Sequence, residues 1–126
     1  MNKTMIVEDE PTTRTLLSTL LGFEGYQILQ TNELTEEGIY NNIISLNPDL
    51  VLMDVHLRQG NGLNLLQKIR KGSSCNNLFV VITSGEDYSY ECRKFGADGF
   101  LMKPYMPDDL IILLKRVLTS PRDGNA

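Results

Sequence analysis

The sequence has no tryptophan, one histidine, two cysteines and no surplus of positive charge. Each shortage removes a class of protein. Of its 126 residues, 12 are Lys or Arg and 16 are Asp or Glu, a formal net charge of −4. Affinity for a phosphate backbone is carried by clustered cations, so this acidic chain is not expected to bind nucleic acid directly. Long hydrophobic runs are also missing. Stretches such as Leu110 to Leu114 fall far short of the ~20 residues needed to cross a bilayer, so no membrane association is expected. The opening Met1-Asn2-Lys3-Thr4 lacks the apolar core of a signal peptide, and a cytoplasmic location is expected. Cys75 and Cys92 have neither C-x-x-C spacing nor a neighbouring histidine, which predicts free thiols in a reducing compartment rather than a metal site or a disulfide.

What is present describes one soluble domain. Apolar residues make up 41% of the chain and charged ones 22%, the balance of an ordinary globule, and a domain of this length buries roughly two-thirds of its unfolded surface without staples. Short β-type runs alternate with helix-type segments throughout. The runs are Thr4–Val7, Tyr26–Leu29, Leu50–Met53, Leu78–Ile82 and Phe100–Met102. The third and fourth are apolar throughout, as strands buried on both faces of a parallel sheet must be. Between the runs, Leu16, Leu17, Leu20 and Leu21, then Ile39, Ile43 and Ile44, then Leu65, Leu66 and Ile69 recur at helical spacing. Pro11 and Pro107 suit first helical turns, and Gly22, Gly72 and Gly96 suit helix ends. The segment from about Glu86 to Phe95 has weak helix formers, Tyr88-Ser89-Tyr90, and predicts a short helix. A final helix ends near Thr119, so the domain is expected over residues 1–119, with 120–126 a polar tail or the start of a linker. Repeated strand–helix units with right-handed crossovers give an α/β architecture, an open parallel sheet covered on both sides.

In such a sheet, ligands bind beyond the carboxyl ends of the strands. The residues there are Glu8-Asp9-Glu10, Asp54, Thr83-Ser84 and Lys103-Pro104. Taken singly, most have plain explanations. The acidic triplet would favour the following helix N-terminus, Thr83 would end a strand, and Lys103 would be a solvated charge. Asp54 resists such an account, because it closes the most apolar strand and a carboxylate there needs a cationic partner. Together these residues suit a different task. Two carboxylates with few other ligands suit Mg²⁺, a further carboxylate can then attack phosphorus, and Thr83 and Lys103 can hold phosphoryl oxygens. The chemistry so indicated is phosphoryl transfer onto Asp54.

The segments Met5-Ile6-Val7-Glu8-Asp9-Glu10, Asn47 to Asp54, Val80-Val81-Ile82-Thr83-Ser84 and Gly96 to Pro104 resemble, in order, the strand ends of the receiver (CheY-like) domains of two-component response regulators. The resemblance spans about Lys3 to Thr119. It implies a flavodoxin-like (βα)5 doubly wound sheet of strand order 2-1-3-4-5. It also implies that Asp54 is the phosphoacceptor for a sensor histidine kinase or histidine phosphotransfer protein. Mg²⁺, or Mn²⁺ in its place, would be held by Asp9, Asp54 and the backbone carbonyl of His56, with Glu8 acting mostly through water. Thr83 and Lys103 would contact the phosphoryl group, Thr83 and Phe100 would form a switch pair, and the Lys103-Pro104 bond would be cis. Catalysis would be confined to the chain's own phosphotransfer and autodephosphorylation, which does not make it an enzyme acting on other substrates.

Several positions depart from the family pattern. Arg58 stands four residues after Asp54, where the family often has Pro, although Gly60 and Gly62 keep the turn flexible. Ser84 stands where Ala or Gly is usual and adds a hydroxyl near the phosphate. His56 either points to solvent or, with Gly85, tunes water attack on the acyl phosphate. On the last helix, Leu110, Ile111, Leu114, Val117 and Leu118 make an inward stripe that leaves Ile112 and Leu113 off that face. With Tyr88, Tyr90, Phe100 and Tyr105 these form a candidate partner surface on the fourth helix, fifth strand and fifth helix. The partner there would be a downstream protein, a missing output domain or, after phosphorylation, a second copy of the chain. The alternative function is a receiver-like docking module that takes no phosphate. A phosphatase would want a second Asp where His56 stands, and a flavin or nucleotide would be repelled by Glu8-Asp9-Glu10.

Overall fold

The structure, a computed structural model, describes residues 2–72, 75 and 77–120. Of the expected tail, only Ser120 belongs to that set; 121–126 lie outside the described residues. In chain order the elements are β1 (Lys3–Val7), α1 (Pro11–Phe23), β2 (Gln27–Gln30), α2 (Glu36–Leu46), β3 (Leu50–Asp54), β4 (His56–Leu57), β5 (Gly60–Asn61), α3 (Gly62–Lys71), β6 (Phe79–Ser84), α4 (Ser89–Phe95), β7 (Gly99–Met102) and α5 (Pro107–Thr119). Five strands form one sheet in the order β2-β1-β3-β6-β7, every pair parallel. Once the two-residue strands β4 and β5 are set aside, this is the 2-1-3-4-5 order expected. Those two strands pair antiparallel as a separate hairpin, His56 with Asn61 and Leu57 with Gly60. No apolar alternation marks them, so the sequence did not predict them.

Strand side chains alternate between the two sheet faces, and two cores result. Met5, Val7, Val51, Met53, Val80 and Ile82 pack with residues of α2, α3 and α4. Ile6, Leu50, Leu52 and Val81 pack with Leu17 and Leu21 of α1 and with Leu110, Leu114 and Val117 of α5. With helices on both faces, β3 and β6 have no polar side and read as continuous apolar runs. Both cysteines are buried and free, and burial pushes the Cys92 thiol up to about 11. Among the described residues, no helix is long and apolar enough to cross a membrane.

Some helical expectations need correction. Leu16 is 65% exposed and Ile44 40%. Burial on α1 and α2 needs only the narrower stripes Leu17–Leu21 and Ile39–Ile43, because each helix rests on a strand along one line of contact. Gly22 does not stop α1, which runs to Phe23. The reversal is made by Gly25, whose φ of +92° lies in the region glycine alone enters freely. On α5, Ile112 is 58% exposed as expected. Leu113, however, packs on the core that α1 and α5 cover and lies against Gly99 of β7, where a Cβ would sit 3.2 Å from its Cδ1. Leu113 is half-buried, as Ile111 is, but its packing puts it on the core side. The helix axis is rotated so that positions 110, 113, 114 and 117 face the sheet, the i, i+3, i+4, i+7 stripe. As expected, α4 is short, and it ends on Gly96 in the left-handed conformation.

Candidate functional site

Parallel pairing brings the carboxyl ends of the strands to one edge, and register decides which side chains meet there. Asp54 pairs with Thr83, and Ser84 with Met102. Val55 N–H donates to the Thr83 carbonyl (3.0 Å) and Lys103 N–H to the Ser84 carbonyl (2.8 Å). Loops leaving β3, β6 and β7 thus stay laced together past the last ladder residues. Gly62 tightens this further. A Cβ there would lie 2.4 Å from the Asp54 carbonyl oxygen, so only glycine lets α3 start so close to the end of β3. The Lys103-Pro104 peptide is cis, as the resemblance implied.

The centre of the site is one ammonium between two acids. Lys103 Nζ lies 3.3 Å from Asp54 Oδ2 and 3.4 Å from Glu8 Oε1. The Glu8 and Asp54 side chains are only 7% and 13% exposed, while Lys103 keeps 30%. Burial by itself would lower the Lys103 pKa, but the charges of Asp54 and Glu8, with their hydrogen bonds, outweigh it and hold the ammonium above its ordinary value. Around this triad the chain is tied down. Glu10 N–H donates to Glu8 Oε2 (3.1 Å), and Arg14 Nη1 donates to the Glu8 carbonyl (3.4 Å).

Asp9 does not share the lysine. Its Oδ2 accepts from the backbone N–H of Arg58 in the β4–β5 turn. Glu10 leaves the site altogether and caps α1, accepting from Thr13 N–H (2.7 Å), Thr13 Oγ1 (2.8 Å) and Thr12 N–H (3.2 Å); these bonds hold its carboxyl below the usual range. The triplet therefore divides its labour, the first two acids facing the site and the third serving the helix.

Thr83 is buried at the end of β6. Ser84 is fully buried, and its Oγ accepts from Glu86 N–H (3.1 Å), which shapes the β6–α4 loop. The exposed ring of His56 turns to Glu86, Nε2 to Oε1 at 2.9 Å, with the Tyr88 ring edge-on at 6.1 Å between centroids. Gly85 faces open space, since a Cβ there would meet nothing within 4 Å. Phe100 is half-buried against the core that α2, α3 and α4 cover and lines a groove of about 290 Å³ with Ser89, Cys92 and Arg93. Tyr90 is exposed, while Tyr88 and Tyr105 are half-buried and packed on the two cores. Glu86 and the Arg58 amide escaped the sequence reading. An acid three residues past a strand-end threonine, facing a lone histidine, was the available signal for the first; the second is backbone and carries none.

Among the described residues, no three side chains of His, Cys, Asp or Glu converge on one point as a metal cage. The donors that remain are Asp9, Asp54 and backbone carbonyls, all hard oxygens and few in number. That set fits an ion such as Mg²⁺ that keeps several waters.

The comparisons agree with this geometry. The response regulator receiver domain family matches residues 4–115. The phosphate regulon transcriptional regulatory protein PhoB of Pseudomonas aeruginosa is 29% identical over 97% of this chain and 55% of its own length. The transcriptional regulatory protein YxdJ of Bacillus subtilis is 31% identical over 91% of this chain and 49% of its own length. The chain thus spans about half the length of these curated relatives. Among solved structures, a response regulator from Chloroflexus aurantiacus superposes with a TM-score of 0.84 at 25% identity, covering 94% of this chain and 98% of that one. The receiver domain of a sensor histidine kinase from Pseudomonas aeruginosa, solved with magnesium in its active-site cleft, shares the fold with a TM-score of 0.81 at 21% identity, over 94% and 98% of the two chains. With the matched region spanning both cores and every strand end of the site, this chain belongs to the response regulator receiver domain family.

Proposed function

We propose that the chain is a phosphorylation-controlled switch whose phosphoacceptor is Asp54. The observation that carries this reading is the pairing of the Asp54 and Glu8 carboxylates through one Lys103 ammonium at the carboxyl edge of the sheet. A nearly buried carboxylate paired with a lysine ammonium is a nucleophile whose charge is already offset. The donor is a phosphohistidine on a sensor kinase or a phosphotransfer protein. An Asp54 carboxylate oxygen attacks phosphorus, an O–P bond forms, the P–N bond breaks, and the imidazole leaves carrying the electron pair and takes up a proton. Lys103 and Thr83 bind phosphoryl oxygens, and Ser84 still has its hydroxyl proton to offer beside them.

Asp9, Asp54 and the His56 carbonyl would hold Mg²⁺, or Mn²⁺ in its place, with Glu8 reaching it through water. When bound, the ion offsets the charge of the incoming phosphoryl group. His56, steadied by Glu86, and Gly85 border the path by which water reaches the acyl phosphate. Movement of Thr83 toward the phosphoryl group, with Phe100 turning inward, carries the change to the outer surface of α4, β7 and α5. There Tyr90, Met102 and Ile112 are exposed apolar groups, and a downstream protein or an attached output domain reads them. This reading puts the chain in the cytoplasm, acting on no substrate but its own phosphoryl group.

Incubation with acetyl phosphate and Mg²⁺, followed by intact mass, tests it. The wild type should gain one phosphoryl group and Asp54→Asn none. An unmodified wild type beside a competent control receiver would favour the docking module instead.

A further inference from the structure

Asp9 differs from the other two acids at the site in what holds its carboxylate. Glu8 and Asp54 share the Lys103 ammonium, whereas Asp9 Oδ2 accepts the backbone N–H of Arg58. We propose that this amide is a latch on Asp9: it holds the carboxylate toward the β4–β5 turn in the metal-free protein, and Mg²⁺ binding has to break that hydrogen bond, so the amide of residue 58 sets the affinity for the ion. The inference rests on the magnesium reading above and adds to it a positioning group that no side chain supplies.

The donor is held in place by its surroundings. Arg58 and Gln59 are the two residues between the paired strands β4 and β5. Gln59 bridges to Thr35, and Asn61 N–H donates to Glu36 Oε2 (2.8 Å), so the hairpin is pinned to the start of α2. An amide on a pinned turn presents its N–H in a fixed direction, and a hydrogen bond to an ionised acceptor is stronger than a neutral one. Asp9 and Arg58 also line a common cleft of about 240 Å³, together with Arg14 and Glu33. Arg58 therefore adds a further cation to a cleft that Arg14 also lines. Its charge has to be separated from the effect of the amide.

Proline makes that separation. Arg58→Pro and Arg58→Ala both remove the guanidinium, but only proline removes the N–H. The turn accepts proline. Among the described residues, Asn47 is the only non-glycine with positive φ, so residue 58 is on the side of φ that proline requires. Leu57 before it is in a strand, the conformation favoured ahead of proline, and residue 58 is the first of two central turn residues, where proline is common.

Mg²⁺ affinities of the wild type and both variants, measured by isothermal titration calorimetry on chains with matching circular dichroism, test the latch. Arg58→Pro should bind Mg²⁺ about tenfold more tightly than Arg58→Ala, the factor expected for one charge-assisted hydrogen bond. Equal affinities in the two variants would overturn the latch and leave the magnesium reading standing. No saturable binding by any of the three chains would overturn both. In the unaltered protein, the Arg58 amide resonance should move upfield and lose exchange protection as Mg²⁺ is added. A resonance that stays in place while the ion binds would also overturn the proposal.

Discussion

Lys103 shows how one side chain joins stability to chemistry. Its folded pKa is raised above the ordinary 10.5 by Asp54 and Glu8, so the folded state holds this proton more tightly than the unfolded chain does. The contribution is complete below the unfolded value and is lost as pH rises through the folded one. We therefore expect the difference in urea midpoint between wild type and Lys103→Gln to be constant from about pH 7 to 9 and to narrow above pH 10.5. A difference unchanged at pH 11 would mean the ammonium does not offset the two acids. Single residues were also where the sequence was most legible. Glu8, Asp9, Asp54, Thr83 and Lys103 all stand at the strand ends assigned to them, because strand ends can be read from where apolar runs stop. That Glu10 caps α1 while Asp9 faces Arg58 could not be read, since adjacent acids differ only in the direction the backbone gives them.

At the scale of elements, the close contact between α3 and the end of β3 is the most sensitive joint. Gly62 lets the helix begin against the Asp54 carbonyl, and the clash that a methyl group would meet is with backbone, which cannot swing aside. Gly62→Ala should cost about 2 kcal/mol, read as a lower midpoint in urea denaturation with an unchanged slope. An alanine variant as stable as wild type would show that α3 can retreat freely. The helices themselves were legible from periodicity, but their buried stripes were narrower than drawn at Leu16 and Ile44 and rotated at Leu113. Periodicity marks that a face is apolar. Which of its side chains touch the sheet depends on the angle at which the helix crosses the strands, and that is set by packing. The β4–β5 hairpin was illegible for a related reason, because it is tied to the start of α2 through Gln59 with Thr35 and Asn61 with Glu36 rather than marked by any local pattern.

For the whole molecule, the acid surplus becomes a matter of ligand linkage. Glu8, Asp9 and Asp54 lie at one edge of the sheet with a single lysine between two of them, and a divalent ion that binds only the folded state stabilises it by mass action. At ten times its Kd, Mg²⁺ should add about 1.4 kcal/mol, which for a domain of this size raises the Tm by about 5 °C. A melt insensitive to Mg²⁺ at matched ionic strength would show that these acids do not converge on an ion.

The sequence by itself determined the alternation of strands and helices, the two doubly covered strands, the short α4 and the residues that close each strand. These follow from local rules: alternation and continuous burial for strands, a repeat of 3.6 residues for helices, and glycine or proline where the chain turns. Tertiary structure decided the rest. Parallel register put Asp54 beside Thr83, the fold brought Lys103 to Asp54 and Glu8 from 49 and 95 residues away, and a hairpin pinned on α2 turned the Arg58 amide toward Asp9. These contacts join residues distant in sequence, and their geometry exists only once both faces of the sheet are packed.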